Sequence, residues 1–205
     1  MYLGGICFIT DRRLCSLSIE EMVNKVIEAG IRWIQYRDKE ESRRNIYNNA
    51  LRLKKITQGS KSILIINDHV DIACAVDADG VHLGQDDLPL IEARKIIGKK
   101  IIGISTHSLE QAIEAEKGGA DYIGFGPVFY TETKDAGHPK GVEELYNVKK
   151  SINIPVVAIG GISLNNVEEV LKTGVDAIAV ASAILKGDII GNIRSFKNIM
   201  KHYRG

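Results

Sequence analysis

Short apolar runs recur along the chain, spaced so that one helix fits between most neighbouring pairs. They fall near residues 5–10, 31–36, 62–66, 79–83, 101–105, 121–126, 155–159 and 176–181. The runs are continuous and rich in Ile and Val, as parallel strands buried on both faces are. Between them the period lengthens to that of a helix. From Ile19 to Ala29, Met22, Val26 and Ile27 make one face, and Ser18 with Glu21 has the spacing of a capping box. Ser108 and Gln111 open the helix before the sixth run in the same way. Pro89 falls in the first turn of a helix running towards Ile97, and Gly30, Gly119 and Gly174 follow helical stretches, where a C-terminal glycine belongs. A weak internal echo supports the alternation. Ala78-Asp79-Gly80-Val81, Ala120-Asp121-Tyr122-Ile123 and Val175-Asp176-Ala177-Ile178 each lead into an apolar run, as a repeated helix-to-strand turn would.

Alternating strands and helices with right-handed crossovers close into a barrel or form an open doubly wound sheet. Eight units, with polar or glycine clusters after both early and late runs, favour the barrel. The expectation is an α/β chain in which residues 1–205 form a single TIM-barrel catalytic domain, a (β/α)8 fold at the short end of its size range. In that fold the C-terminal strand ends share one rim, and chemistry sits there.

Composition narrows the partners. Lys and Arg number 27 against 26 Asp and Glu, a net charge of +1, so no basic excess calls for nucleic acid or an anionic membrane. No run has the length of a transmembrane helix, and residues 1–10 lack the basic and long apolar regions of a signal peptide. Cys7, Cys15 and Cys74 form no CxxC pair and read as small buried hydrophobes. A cytoplasmic protein is expected.

The candidate chemistry lies just after the runs. Gln35, Arg37 and Lys39 are two apart at a strand end and share a side in extended geometry, where an Arg fork and a Lys point charge suit a phosphate or pyrophosphate. The same stretch also reads as a solvated charge cluster opening a helix. Asn67-Asp68 and Asp86-Asp87 end neighbouring strands, so two carboxylates can converge on a Mg²⁺ ion. Alternatively, Asp68 and Asp87 cap the helices that follow. Thr131, Thr133 and Lys134 can close over an anion, or make a plain polar loop, and residues 131–141 look like a mobile loop. Gly160-Gly161 and Ala181-Ser182 follow the last two strands, where barrels of this kind bind phosphate; a tight turn needing glycine is the other reading. Ser105 and His107 end the fifth strand without a nucleophile elbow or triad. His82 lies within a strand and reads as a satisfied core histidine.

Taken in order, QYRDK, NDHVDIA, GVHLGQDD, GISTHS, GADYIGFGPVF-x-T-x-TK, VVAIGGI and ASAI resemble the thiamine phosphate synthase family across almost the whole chain. The resemblance implies a barrel that joins hydroxymethylpyrimidine pyrophosphate to a (carboxy)thiazole phosphate, with Mg²⁺ as cofactor. It makes Gln35, Arg37, Lys39 and Asn67 contacts of the pyrimidine pyrophosphate, puts Ser105 and Lys134 on its pyrophosphate side as well, and makes Arg37, Lys39, Ser105 and Lys134 the catalytic set. Asp68 and Asp87 become the metal ligands, and Thr131, Thr133, Gly161, Ala181 and Ser182 the thiazole phosphate side. The expected partners are small-molecule substrates, with a homodimer left open. Tyr130 stands where the family has proline, and Ala181 where a bulkier aliphatic residue is common. Two rivals share the fold: a thiazole tautomerase, which has no pyrophosphate to expel, and a non-catalytic barrel that binds a phosphorylated ligand.

Overall fold

The computed structural model describes residues 3–131 and 137–203. Eight parallel strands close in sequence order: β1 Gly5–Ile9, β2 Trp33–Tyr36, β3 Ile63–Asn67, β4 Gly80–Leu83, β5 Ile101–Thr106, β6 Tyr122–Phe125, β7 Val156–Ile159 and β8 Ala177–Val180, with β8 pairing back onto β1. Helices fill the crossovers: α1 Ile19–Glu28, α2 Arg43–Ser60, α3 Val70–Ala75, α4 Leu90–Ile97, α5 Leu109–Lys117, α6 Gly141–Ser151 and α7 Val167–Lys172. A short α8, Ser182–Leu185, and α9, Ile189–Lys201, follow the last strand. The expected (β/α)8 barrel is what forms, and each strand overlaps the apolar run that announces it.

Alternation along each strand sorts side chains into two apolar layers. The larger lies between sheet and helices, where Phe8, Ile34, Leu64 and Ile123 pack with Met22, Leu53, Leu145 and Phe196. The smaller joins Cys7, Ile9, Trp33, Ile65, Tyr122, Val157 and Ala179 inside the barrel. Tyr122 fits there because its register partner is Gly103. A Cβ on Gly103 would lie 2.0 Å from Tyr122 Cζ, so glycine is what admits the ring.

The helix ends mostly follow the sequence signals. Ser18 and Glu21 complete both bonds of a capping box. Ser108 accepts from the Gln111 N–H, but the Gln111 side chain reaches back to the His107 N–H instead of closing the box on Ser108. Pro89 stands one position earlier than expected, as the N-cap residue of α4. Of the cysteines, Cys7 is buried, while Cys15 and Cys74 are only half-buried; all three are free thiols.

The Ala-Asp echo has a physical basis at the N-terminal end of the barrel. Asp79, Asp121 and Asp176 each clamp the preceding strand at two points. Their N–H groups donate to the carbonyls of Leu64, Ile102 and Val156 at 2.9, 2.8 and 3.1 Å. Their carboxylates accept from the N–H groups of the same three residues at 2.9, 2.8 and 2.8 Å. Lys54, Arg94 and Lys149, on α2, α4 and α6, complete the ion pairs. The echo therefore recurs at every second strand, with the helix before the clamped strand supplying the cation. This face of such barrels carries stability rather than chemistry. Asp176→Ala orphans the partly buried Val156 N–H and is expected to cost about 1–3 kcal/mol. Asp176→Asn, which keeps an acceptor oxygen, should cost less; urea midpoints of the two variants check the order.

Candidate active site

At the C-terminal rim, β1 and β2 are tied together first. Thr10 Oγ1 accepts from the Arg37 N–H at 2.9 Å and donates to the Arg37 carbonyl at 3.0 Å. Asp38 then turns the chain, its Oδ1 accepting from the N–H groups of Glu40 and Glu41. The charge cluster divides at this turn. Arg12 pairs with Glu41, and Arg43 with Asp71, on the outer surface. Arg37 lines the cavity in the barrel mouth, and its guanidinium makes no hydrogen bond among the described residues. Lys39 reaches across to Asp68, Nζ to Oδ2, at 2.5 Å. The surface-cluster reading holds for Glu41 and Arg43, while Arg37 is turned to the cavity instead.

Beneath this, Gln35 Nε2 donates to Asn67 Oδ1 at 2.9 Å, joining the ends of β2 and β3 in a buried pair. Asp68 follows with φ +65°, and its N–H donates to the His82 carbonyl at 2.8 Å. Glycine would adopt this left-handed backbone at lower cost, and aspartate tolerates it better than most residues. Asp87 accepts the Gly84 N–H at 2.6 Å. Neither aspartate caps a helix. His69 and Pro89 hold the N-cap positions of α3 and α4, and neither makes a side-chain cap. The Asp87 carboxyl is held above the usual aspartate range, first by burial and then by its contact with Asp68. So it is Asp87, not the exposed Asp86, that meets Asp68.

Two like charges in contact call for a cation. Among the described residues no group of three or more His, Cys, Asp or Glu could hold a metal ion. A pair of carboxylates fits Mg²⁺ that keeps waters and takes phosphate oxygens, rather than a metal caged entirely by protein.

The other side of the rim is built from glycine. Gly160 and Gly161 have φ of +98° and +65°, and the chain after β6 lies directly against them. A Cβ on Gly161 would stand 2.3 Å from the Tyr130 carbonyl oxygen, and one on Gly160 2.5 Å from Pro127. The Val128 and Phe129 N–H groups donate to the Ile159 and Gly160 carbonyls at 2.9 and 3.0 Å. The tight-turn reading of these glycines therefore holds, and it leaves Gly161 at the cavity wall. Ala181 precedes α8, whose first turn brings Ser182 to the same wall. Helix starts present backbone N–H groups without internal acceptors.

The cavity spans about 800 Å³ including its open mouth. Of the residues expected to bind ligands, Arg37, Ser105, Thr131, Gly161, Ala181 and Ser182 line it. Lys39, Asp68 and Asp87 form a cluster of their own outside that lining, and Gln35 and Asn67 bond to each other as a buried pair. Thr133 and Lys134 lie outside the described residues. Sequence reasoning missed Thr10 and Asp11, although polar residues directly after the first run were the available signal. Asp11 is buried, caps the 3-10 turn Arg12–Leu14, and takes three bonds from Arg13, whose hydrogen bonds hold its carboxyl below the usual range. His107 also lines the cavity; its Nδ1 bonds the Gly126 carbonyl at 2.5 Å.

Fold and rim together define a (β/α)8-barrel enzyme with groups suited to anions on both sides of its mouth. The model of a family described as thiamine monophosphate synthase matches residues 6–184. The thiamine-phosphate synthase of Clostridium acetobutylicum is 49% identical over 184 residues, covering 89% of this chain and 87% of its own. That of Halalkalibacterium halodurans is 49% identical over 187 residues, covering 90% and 89%. A solved thiamine phosphate pyrophosphorylase from Pyrococcus furiosus superposes with a TM-score of 0.90 at 42% identity, over 98% of this chain and 97% of that one. The chain belongs to the thiamine monophosphate synthase family and is a transferase of thiamine biosynthesis.

The raised Asp87 carboxyl has a consequence for stability. In the metal-free folded state Asp87 keeps a proton that the unfolded chain has already released, so stability falls as pH rises from about 4 through the raised value. Denaturant midpoints in metal-free buffer are expected to drop across this mildly acidic window, and Asp87→Asn to flatten the drop. A wild-type profile without it overturns the carboxylate contact.

Proposed function

We propose that the chain joins hydroxymethylpyrimidine pyrophosphate to a thiazole phosphate, with or without its carboxylate. The products are thiamine phosphate, pyrophosphate and, from the carboxylated substrate, carbon dioxide. The observation that carries this reading is the Asp68–Asp87 pair with Lys39 on the β3–β4 side of the rim, facing Gly161 and Ser182 on the β7–β8 side. One mouth thus has two anion-handling sides, as two phosphorylated substrates require.

In this reading Gln35, Arg37, Lys39, Asn67, Ser105 and Lys134 hold the diphosphate, and Thr131, Thr133, Gly161, Ala181 and Ser182 hold the thiazole phosphate. Asp68 and Asp87 would hold Mg²⁺, which would supply positive charge to the departing diphosphate. Arg37 and Lys39 stabilise the negative charge that grows as the methylene carbon–oxygen bond breaks, and the electron pair leaves with pyrophosphate. The aminopyrimidine delocalises the positive charge left on its methylene. The glycine side of the rim holds the thiazole with its nitrogen towards that carbon, and the new carbon–nitrogen bond forms there. Positioning and electrostatics do the work, so the route needs no protein nucleophile. Free thiols at Cys7, Cys15 and Cys74 suit a reducing compartment and support a cytoplasmic enzyme. Light scattering of the purified protein reads whether it is a homodimer.

A thiazole tautomerase would have no use for the Arg37, Lys39, Asp68 and Asp87 set. Incubating carboxythiazole phosphate alone separates the two, because turnover to its tautomer without the pyrimidine substrate would favour that rival. Tight binding of both substrates with no product under Mg²⁺ would favour the non-catalytic barrel.

Asp68→Ala is expected to lower turnover by about 10²-fold or more while thiazole phosphate binding changes little. Equal losses in both, measured by steady-state rates and calorimetry, would remove Asp68 from the metal site. Arg37→Ala is expected to raise the KM for the pyrimidine pyrophosphate and slow its cleavage; unaltered kinetics with that substrate would refute the assignment.

A further inference from the structure

A buried chain of polar side chains runs up the barrel interior to Ser105. Tyr122, on β6, lies in the space that Gly103 leaves open, its ring packed edge-on against Trp33 with centroids 5.0 Å apart. Its hydroxyl meets His82 Nδ1 at 2.9 Å. His82 is buried against Gly124, where a Cβ would come within 3.1 Å of the imidazole, and its Nε2 meets Ser105 Oγ at 2.9 Å. Ser105 in turn lines the cavity, and Gln85 Nε2 holds its backbone carbonyl at 2.6 Å.

The bonding leaves one satisfactory arrangement of protons. The Tyr122 phenol is fully buried, and burial keeps its hydroxyl protonated. Its partner among the described residues is His82 Nδ1, so that nitrogen is the acceptor for the phenol proton. A neutral imidazole accepting at Nδ1 carries its own proton at Nε2. Nε2–H then donates to Ser105 Oγ, which occupies the serine as an acceptor. The serine proton is left to point away from His82, towards the cavity. The opposite tautomer would strand the phenol proton in the interior and turn the serine proton inwards, away from any ligand.

We propose that Tyr122 and His82 are positioning residues that set Ser105 as a hydrogen-bond donor to the anionic leaving group. This inference rests on the reading of Ser105 as a diphosphate contact. Neither residue touches the substrate; both act through the direction of one hydroxyl. The three one-way bonds, phenol to imidazole, imidazole to serine and serine to substrate oxygen, also polarise one another in the same sense.

Nitrogen NMR of the ¹⁵N-histidine-labelled full chain at neutral pH tests the wiring without any substrate. The His82 signals, assigned by their loss in His82→Gln, are expected to show a neutral ring protonated at Nε2. Tyr122→Phe should erode that preference. An Nδ1–H tautomer in the wild type overturns the proposal whatever reaction the enzyme performs. The second arm is kinetic. Tyr122→Phe is expected to lower kcat about tenfold, the scale of one misdirected hydrogen bond, with the KM for thiazole phosphate unchanged. In a Ser105→Ala background the same substitution should cost less than twofold, because the hydroxyl it orients is gone. An equal cost in both backgrounds would make Tyr122 a packing residue only and overturn the positioning role. Absence of pyrimidine pyrophosphate turnover in the wild type would instead sink the reading of the reaction, with the tautomer still read by NMR.

Discussion

Two carboxylates held together at the rim of a barrel impose the central constraint on this molecule. Asp68 and Asp87 come from loops after adjacent strands, and each is fixed by its own backbone: the left-handed turn at Asp68 and the Gly84 N–H that Asp87 accepts. Their repulsion is offset by Lys39, half of whose side chain is exposed, and what remains helps to hold the Asp87 carboxyl above its usual range. A single exposed ammonium does not neutralise the pair. The chain's own groups thus leave the charge at this part of the rim incompletely balanced.

The rest of the barrel can be understood as keeping that pair in place. At the N-terminal end, Asp79, Asp121 and Asp176 are also carboxylates near cations, yet their role is the reverse. Each has two strand groups and a Lys or Arg as partners, which leaves no unbalanced charge. The same residue type thus sets register at one end of the strands and is left incompletely balanced at the other. The difference lies in whether backbone N–H groups and cations of the chain itself satisfy the carboxylate.

Glycine and aromatic residues divide the interior between them. Gly103 and Gly124 give up side chains so that Tyr122 and His82 can cross the barrel beneath Ser105. The interior beneath the mouth is thus filled by a polar column rather than by aliphatic layers alone, which joins the packed core to the reactive rim. Tyr130 is largely exposed beside the glycine wall. Its carbonyl, rather than its ring, is what approaches Gly161.

Much of this was legible in the chain by itself. Ile- and Val-rich runs determined eight buried strands, because only strands covered on both faces tolerate such continuity. The glycines and capping residues between them determined where helices start and stop. Arg37, Lys39, Asp68 and Ser105 were recognisable as rim residues because each ends a run or falls within three residues of its end. Other features needed the closed barrel. An aspartate that caps a helix and one that meets a second carboxylate have the same sequence signature, and only the backbone turn at Asp68 and the Asp87–Gly84 bond separate them. Thr10 and Asp11 gain their place through the junction of the first two strands. His82 reads as a core histidine from its strand and is one, yet the identity of its partners depends on strand stagger and on absent side chains at residues 103 and 124. Local sequence sets which element a residue joins, through periodicity and backbone preference. Which distant side chains then meet is decided by strand pairing and stagger: β4, β5 and β6 lie side by side, which brings His82 within bonding distance of both Ser105 and Tyr122.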